Sequence, residues 1–445
     1  MTVKYKRIYF IFLTLFYYII FKISYKHIIA TNWNYFGLDY TGVPLWVDFC
    51  SLVLVTLPSF IFPLSFSRPS VIFCYIKYSF LYIPLFVILP NTCIPVLGIQ
   101  DCLLIYASTF IGMNIFILFQ KLPLINLKKY RFNSLSLFNF SYYSIFVLII
   151  ISFCFLSVTI QKNILTNNSL LSFVFEGHQK MRKVYGGFSS NYCFGLLTYF
   201  TLWFGAFFLP VRFAISFFTG YKVSSIILLI IYILLFLLTG YKSYIVFFFY
   251  MPLLAYLLMS RGCFIIKLNF IFTSVFLISS FMVFMDFEIF NWILLRIYCI
   301  TPLVLGQFYD FFSHFPYTFL SHVSVISYFI PYPFNNDLGV EVGLYHYGGG
   351  INVNGGLWAS DGLAAFGLFG IIISSIIASC FFYIIDSLSK EVDTRLVVLM
   401  LGFLPFSFLN TPFFTTILSS GLFLFVLFLF FLPRKLVPKF SLKWR

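Results

Sequence analysis

Side chains able to do acid–base and phosphate chemistry are concentrated in one part of this chain, between residues 291 and 370. The chain is only 9% charged over its 445 residues, so the concentration needs a reason. The charged and titratable residues of this stretch include Arg296, Asp310, His314, His322, Asp337, Glu341, His346 and Asp361. Prolines and glycines, among them Gly348, Gly349 and Gly350, disfavour continuous helix here. The pattern predicts a large loop with short helices outside the membrane, which we take as the candidate reaction site.

Removal of a proton near neutral pH is the chemistry that suits the histidines, because the unperturbed imidazole pKa is about 6.5. His346 lies in GLYHYGGGINVNGG, whose glycines permit close approach of the backbone to a sugar. His314 follows FYDFFS and is either a base or a helix cap. Glu341 and Asp310 are alternatives, since burial raises a carboxyl pKa. The preferred candidate base is His346, with the other three left open.

Arg296 is the first candidate for binding a phosphate group. It lies in the apolar context IFNWILLRIYC, where a cation is costly unless it meets an anion or water. Its planar guanidinium offers two parallel donors to a phosphate. Snorkelling, or pairing with Asp286, would explain the same position without a function. Further candidate cations for the same anion are Arg182, Lys183, Lys242 and Arg212, the last of which either reaches a lipid phosphate or snorkels.

The composition places the chain among integral membrane proteins. It is 61% hydrophobic with a mean hydropathy of +1.00, far from soluble globular usage. Repeated apolar runs of about 20 residues are typical of spanning helices. The net charge is +15, and the basic residues behind it lie in short loops between apolar segments. This placement argues against nucleic acid as a partner. The predicted fold is all-α and polytopic, with the lipid bilayer as its surroundings.

The distribution of Lys and Arg predicts the topology, because cytoplasmic loops carry an excess of these residues. It favours about twelve spans with both termini cytoplasmic. Two polar segments then lie outside, a large loop at about 286–361 and a second loop at about 161–190. The sequence contains no charge-rich linker, so residues 1–445 are predicted to form a single membrane-embedded domain.

Several chemistries lack their sequence signatures. The nine cysteines include no CxxC pair, so a zinc or redox site is not expected. There is no Walker loop, GxGxxG or GxSxG motif. We therefore expect no metal and no cofactor. The energy for the activity is expected to come from the substrate or from an ion gradient.

A series of segments resembles the Wzy-type O-antigen and oligosaccharide repeat-unit polymerases. In order they are SRPSVIFCYIKYSFLYIP, MRKVYGG, TGYKSYIVFFFY, RIYCITPLVLGQFYDFF and NVNGGLWASDGLAAFGLFGIII. The resemblance covers most of the chain, although each motif is loose. MRKVYGG departs from the family pattern, which has Tyr before Arg, and this weakens the role of Arg182. The Arg of the fourth segment is Arg296, and the last segment supplies Asn354 and Asp361, followed by Gly362, Gly367 and Gly370.

The resemblance implies a metal-independent glycosyltransferase of the membrane-embedded, GT-C-like architecture in the bacterial inner membrane. It would transfer a growing glycan from undecaprenyl diphosphate to a new lipid-linked repeat unit at the periplasmic face, making O-antigen or capsular polysaccharide. Tyr309, Asn354 and Asp361 would contact sugar, and a chain-length regulator protein is an implied partner. The open alternatives are a lipid-linked oligosaccharide flippase or other transporter, and an O-antigen ligase.

Overall fold

The computed structural model describes residues 3–127, 136–150, 199–323, 326–349, 351–354 and 358–432. Of those residues 79% are helical, and none is in a strand. The prediction of an all-α fold is confirmed. The loop predicted at 161–190 lies outside the described ranges.

The helices follow the apolar runs of the sequence. In chain order they are α1 (Val3–Ser24), α2 (Ala30–Trp33), α3 (Leu45–Ile61), α4 (Ser70–Lys77), α5 (Ile83–Leu97), α6 (Ile99–Phe119), α7 (Ser136–Ile150), α8 (Leu209–Phe218), α9 (Lys222–Thr239) and α10 (Ser243–Met259). They continue as α11 (Phe264–Phe284), α12 (Glu288–Ile293), α13 (Ile300–His314), α14 (Leu338–Tyr347), α15 (Ala359–Leu388), α16 (Thr394–Met400), α17 (Leu404–Asn410), α18 (Phe413–Ser419) and α19 (Leu422–Phe431). One-turn π segments join α1 to α2, α4 to α5 and α12 to α13.

The protein is a multi-pass membrane protein. Within the described ranges, seven helical segments are long and apolar enough to cross a bilayer, and four shorter apolar helices accompany them. This agrees with the polytopic prediction, whereas the number of twelve spans stays a prediction. The chain divides into two compact units, one formed by 1–124, 261–386 and 407–415, the other by 125–260, 387–406 and 416–445.

The segment Ser70–Thr92, which contains α4 and most of α5, is the centre of the first unit. Its apolar window is wholly buried within the protein. Pro69 precedes the helix at its start, where a missing N–H donor costs nothing, as the sequence predicts. Tyr75 and Tyr78 pack here against aromatic rings such as Phe272 and Phe62. Burial on every side explains why this helix is apolar all round.

The predicted large outer loop is more helical than its prolines and glycines suggest. From Glu288 to His314 the chain forms an unbroken helical stretch, α12, a π segment and α13. Its packed face includes Leu305 and Phe308, both buried. This helix and α14 carry most of the polar residues that the sequence singled out.

A helical hairpin occurs where hydropathy predicts one span beginning near Gly362. The backbone of α15 reverses at Phe366 and Gly367, whose φ values are −145° and 65°. Trp358 consequently lies beside Ser374, whose hydroxyl donates to the Trp358 carbonyl at 3.0 Å. Seven residues of helix separate Gly367 from Ser374, so the short arm extends about 10 Å along the long arm. The segment before Gly367 therefore enters the bundle and turns back.

The C-terminal region is also broken. Hydropathy predicts two spans meeting at LNTPFF, but α16, α17 and α18 have seven residues each and α19 has ten. Pro412 follows the end of α17, where its ring is incompatible with a continuing helix. The interruption places the backbone of Phe414 within reach of the hairpin of α15.

Candidate functional site

A carboxylate between two imidazoles forms the candidate site. Asp310, near the end of α13, has its Oδ2 3.9 Å from Nδ1 of His346 and its Oδ1 3.9 Å from Nδ1 of His314. The Asp310 side chain is 14% exposed, His346 17% and His314 57%. Three of the four predicted base candidates thus come together, where solvent still has access.

The hydrogen bond of His346 determines which ring nitrogen is basic. Its Nε2 lies 3.0 Å from the carbonyl oxygen of Gln307. A carbonyl only accepts, so Nε2 carries the hydrogen. In the neutral ring the lone pair is then on Nδ1, the nitrogen that faces Asp310. An imidazole held in this way can take a proton while the carboxylate stabilises the resulting cation.

His314 has a different arrangement. Its Nδ1 is 3.0 Å from the backbone oxygen of Asp310, four residues earlier, and 2.9 Å from the Ser313 hydroxyl. These contacts supply hydrogen-bond partners to polar groups at the end of α13. The helix-cap alternative for His314 is therefore observed, although its exposed Nε2 leaves a base role untested.

Aromatic rings surround the two imidazoles. Tyr345 packs against the His314 ring with centroids 5.9 Å apart, and edge-on against Phe311 and Phe315. Phe334 adds a further ring beside Phe311, at 5.4 Å. Such surfaces present flat apolar area beside polar groups, which is the kind of surface that an oligosaccharide can contact.

Hydrogen bonds among neighbouring residues hold the candidate site in place. The Gln307 side chain donates to the Tyr347 hydroxyl, which in turn donates to the Phe36 carbonyl at 3.0 Å. Burial raises the pKa of Tyr347, with the Gln307 bond acting in the opposite direction. Tyr309 donates to Asp101 at 2.7 Å, so the predicted sugar contact of Tyr309 is a helix–helix bond in this conformation.

Glu341 does not join the Asp310 group. Its Oε1 accepts from the backbone N–H of Asn336 at 2.8 Å and from the Asn336 amide at 2.9 Å. The carboxylate therefore fixes the chain that leads into α14. Of the two carboxylate candidates, the structure brings only Asp310 to the histidines.

Arg296 also lies away from this group. It is an exposed residue of the π segment between α12 and α13. Fourteen residues separate it from Asp310 along the helical stretch, which corresponds to about 20 Å. One reacting centre cannot contact both side chains in this conformation, and diphosphate binding by Arg296 stays a prediction.

The other predicted cations belong to the second unit or lie outside the described ranges. Arg212 donates to the Asn139 amide oxygen at 3.2 Å. Lys242 precedes the first residue of α10 and is partly exposed. Arg182 and Lys183 are not among the described residues.

A buried His–Asp hydrogen bond that the sequence did not predict anchors the α15 hairpin. Nε2 of His322 lies 3.3 Å from Oδ1 of Asp361, and the two side chains are 5% and 2% exposed. Asp361 Oδ2 accepts from the Phe414 N–H at 3.0 Å, and His322 Nδ1 is 2.8 Å from the Thr318 hydroxyl. Both oxygens of Asp361 are thus used within the protein, whereas predicted sugar-contact residue Asn354 is exposed. In the sequence, the only indication of this pair is that acidic residues are rare in apolar stretches.

Lys77 is also buried in the first unit. It is 2% exposed and its Nζ makes no hydrogen bond among the described residues. The ammonium nitrogen lies 3.1 Å from the Phe116 ring centroid and 4.8 Å from that of Trp358. An aromatic cage of this kind stabilises a cation through the ring quadrupoles.

No group of three His, Cys, Asp or Glu side chains that could hold a metal ion occurs in the part of the chain described. Comparison with protein-family models, with curated proteins and with solved structures finds no match to this chain.

Proposed function

We propose that the protein is a polymerase of lipid-linked oligosaccharide repeat units, a glycosyltransferase working at the outer face of the bacterial inner membrane. The observation that carries the proposal is the His346–Asp310 pair, partly exposed and bordered by aromatic rings. The helical, apolar character of the described residues supports it, because a substrate on a polyprenyl lipid stays in the bilayer.

In the proposed reaction an acceptor sugar hydroxyl donates to Nδ1 of His346. As its proton moves to Nδ1, the hydroxyl oxygen attacks the anomeric carbon of the donor glycan. The bond from that carbon to the diphosphate oxygen breaks, and undecaprenyl diphosphate leaves with the electron pair. The carboxylate of Asp310 stabilises the imidazolium that forms. This step uses no redox change and needs no group besides the two lipid-linked substrates.

The leaving diphosphate needs cationic stabilisation. Arg296 is about 20 Å from Asp310 along the helix, so it would hold a diphosphate only in another conformation or at another stage, such as entry of the acceptor lipid. Arg182, Lys183 and Lys242 stay candidates for the leaving group. A chain-length regulator is the proposed protein partner.

The deciding experiment is deletion of the gene, followed by separation of the surface polysaccharide by length. A polymerase defect leaves a single repeat unit attached to the core. Loss of every repeat unit would instead indicate a flippase or a ligase. The same strain expressing the wild-type gene from a plasmid is the control and should regain long chains.

The proposed orientation has its own test. A reporter fused after Tyr347 should be active outside the cytoplasm, and one fused after Lys121 should be active inside. Cytoplasmic activity of the Tyr347 fusion would place the Asp310 group on the wrong face for the reaction.

A transporter of lipid-linked oligosaccharide is the second candidate, and a specific observation favours it. Lys77, Asp361 and Asp386 are all 2% exposed within one unit, and buried ionisable residues of membrane helices often lie on transport paths. The test uses vesicles that hold the purified protein and a labelled lipid-linked glycan. If the protein polymerises the glycan but does not move it across the bilayer, transport is not its function.

A further inference from the structure

The second unit contains a pocket of about 680 Å³ between the start of α9 and the helices α7 and α8. Its basic end is formed by Arg212 and Lys222, and three tyrosines and Ser224 add hydroxyl groups. Its apolar wall is formed by Val223, Ile227 and Leu228. No acidic residue is among those lining it. The pocket therefore combines two positive charges with a wall that suits a hydrocarbon chain.

The position of Arg212 suits the binding of an anion in this pocket. The residue lies within α8, six positions before its end at Phe218, which corresponds to about 9 Å. One guanidinium nitrogen is held by Asn139 at 3.2 Å. This bond orients the planar group, and a guanidinium has five N–H donors, so it can bind an anion and keep the Asn139 contact.

The pocket opens on a surface that suits lipid. Val223 is 72% exposed and Ile227 58%, and Tyr143 and Tyr221 are also well exposed. Tyrosines commonly lie at the level of lipid headgroups. The Lys and Arg distribution predicts that the turn before α9 is cytoplasmic, where basic residues attract anionic lipid headgroups.

We propose that this pocket binds the phosphate headgroup of an anionic membrane phospholipid, with one acyl chain along Ile227 and Leu228. Arg212 and Lys222 contact the phosphate. The lining of this pocket includes no residue of the Asp310 group, and the proposal does not depend on the polymerase activity.

The test uses the full chain in nanodiscs that contain phosphatidylcholine and phosphatidylglycerol. Native mass spectrometry then counts the phospholipids that stay bound on release. The wild type should retain phosphatidylglycerol, and the double variant Arg212→Gln, Lys222→Gln should retain about thirtyfold less, as the loss of two cations near a membrane surface implies. The matched control Lys121→Gln, Arg261→Gln removes two exposed basic residues outside the pocket and should behave as the wild type.

Three results would overturn the proposal. They are equal retention by the double variant and the wild type, no preference for phosphatidylglycerol over phosphatidylcholine, and binding of inorganic pyrophosphate with no bound phospholipid. The single variant Lys222→Gln changes an exposed side chain and keeps the measurement interpretable if the double variant does not fold. It should show an intermediate loss of phosphatidylglycerol.

Discussion

Gly362 and Gly370 contact each other across the turn of the α15 hairpin, so closely that a Cβ on either would collide with the carbonyl oxygen of the other. Eight residues along a straight helix would lie about 12 Å apart. The contact is possible because the chain reverses at Gly367, where φ is 65°.

The first prediction follows from this contact. Gly362→Ala or Gly370→Ala should destabilise the protein by about 1–3 kcal/mol or more, because backbone must move to admit the methyl group. Thermal unfolding of the detergent-solubilised chain measures the effect. Gly348→Ala is the control for backbone strain alone, since Gly348 has φ 69° and open space around it. Gly362 and Gly370 do not have positive φ, so unchanged stability in both of their variants would mean that the contact contributes nothing.

The second prediction concerns the proposed base. His346→Ala should reduce polymer formation by about 100-fold or more, the usual contribution of general base catalysis, at unchanged protein level. Asp310→Asn should also lower the rate, because the imidazolium loses its carboxylate.

Glu341→Ala is the matched control for the base, since Glu341 bonds to Asn336 instead. It should keep polymer lengths close to wild type. Normal polymerisation by His346→Ala together with loss in Asp310→Asn would assign the base to the carboxylate.

The third prediction concerns the His322–Asp361 pair. Asp361→Ala should cost about 3–5 kcal/mol, because it leaves a buried partner without its counterpart. The double variant His322→Ala, Asp361→Ala should cost less than the sum of the two single variants. Additive single effects would show that the 3.3 Å contact carries no coupling.

The fourth prediction separates structure from transport at Lys77. Lys77→Met keeps the volume and removes a buried amino group that makes no hydrogen bond in the described chain, so stability should be unchanged or higher. Lys77→Ala should cost about 2–5 kcal/mol through the cavity it leaves. Loss of flipping by a fully stable Lys77→Met would favour the transporter over the polymerase.

The fifth prediction concerns pH. At Asp393, which caps α16, burial raises the pKa but hydrogen bonds and charge from Arg395 outweigh it, so the pKa is lowered. A carboxyl pKa lower in the folded state gives stability that is present above the unfolded value of about 3.9 and is lost as the pH falls through the folded value.

Asp393→Ala should accordingly cost about 1 kcal/mol at pH 7, and the difference from wild type should disappear at the most acid pH. Thermal unfolding across a pH series measures it, with the exposed Glu391→Ala as control. A difference that stays constant with pH would exclude the charge of Asp393 as the cause.

Structural features that depend only on neighbouring residues in the sequence could be predicted. Apolar runs give the helices, and Pro69 marks the start of α4. His346 and Asp310 were candidates because titratable groups are rare here. Their pairing depends on α13 and α14 packing together, which short-range pattern does not encode.

Other features could not be predicted because they join residues distant in sequence. Hydropathy averages over a window, so the reversal at Gly367 looks like a continuous span. Asp361 meets His322 and Phe414, which are 39 and 53 positions away. The sequence predicts that Lys77 lies within a span, but its cage requires Phe116 and Trp358 from two other segments.

The hairpin also bears on how the chain is made. Its short arm, from Ala359 to Phe366, is about 12 Å long and too short to cross a bilayer by itself, so its placement depends on contacts with other segments. Thr318 and His322 are synthesised before it, and the Thr318 N–H reaches the Ala364 carbonyl at 2.8 Å. Phe414, which donates to Asp361, emerges from the ribosome only after α15, α16 and α17. The hairpin therefore reaches its final contacts late in biogenesis, when the last helices have been inserted.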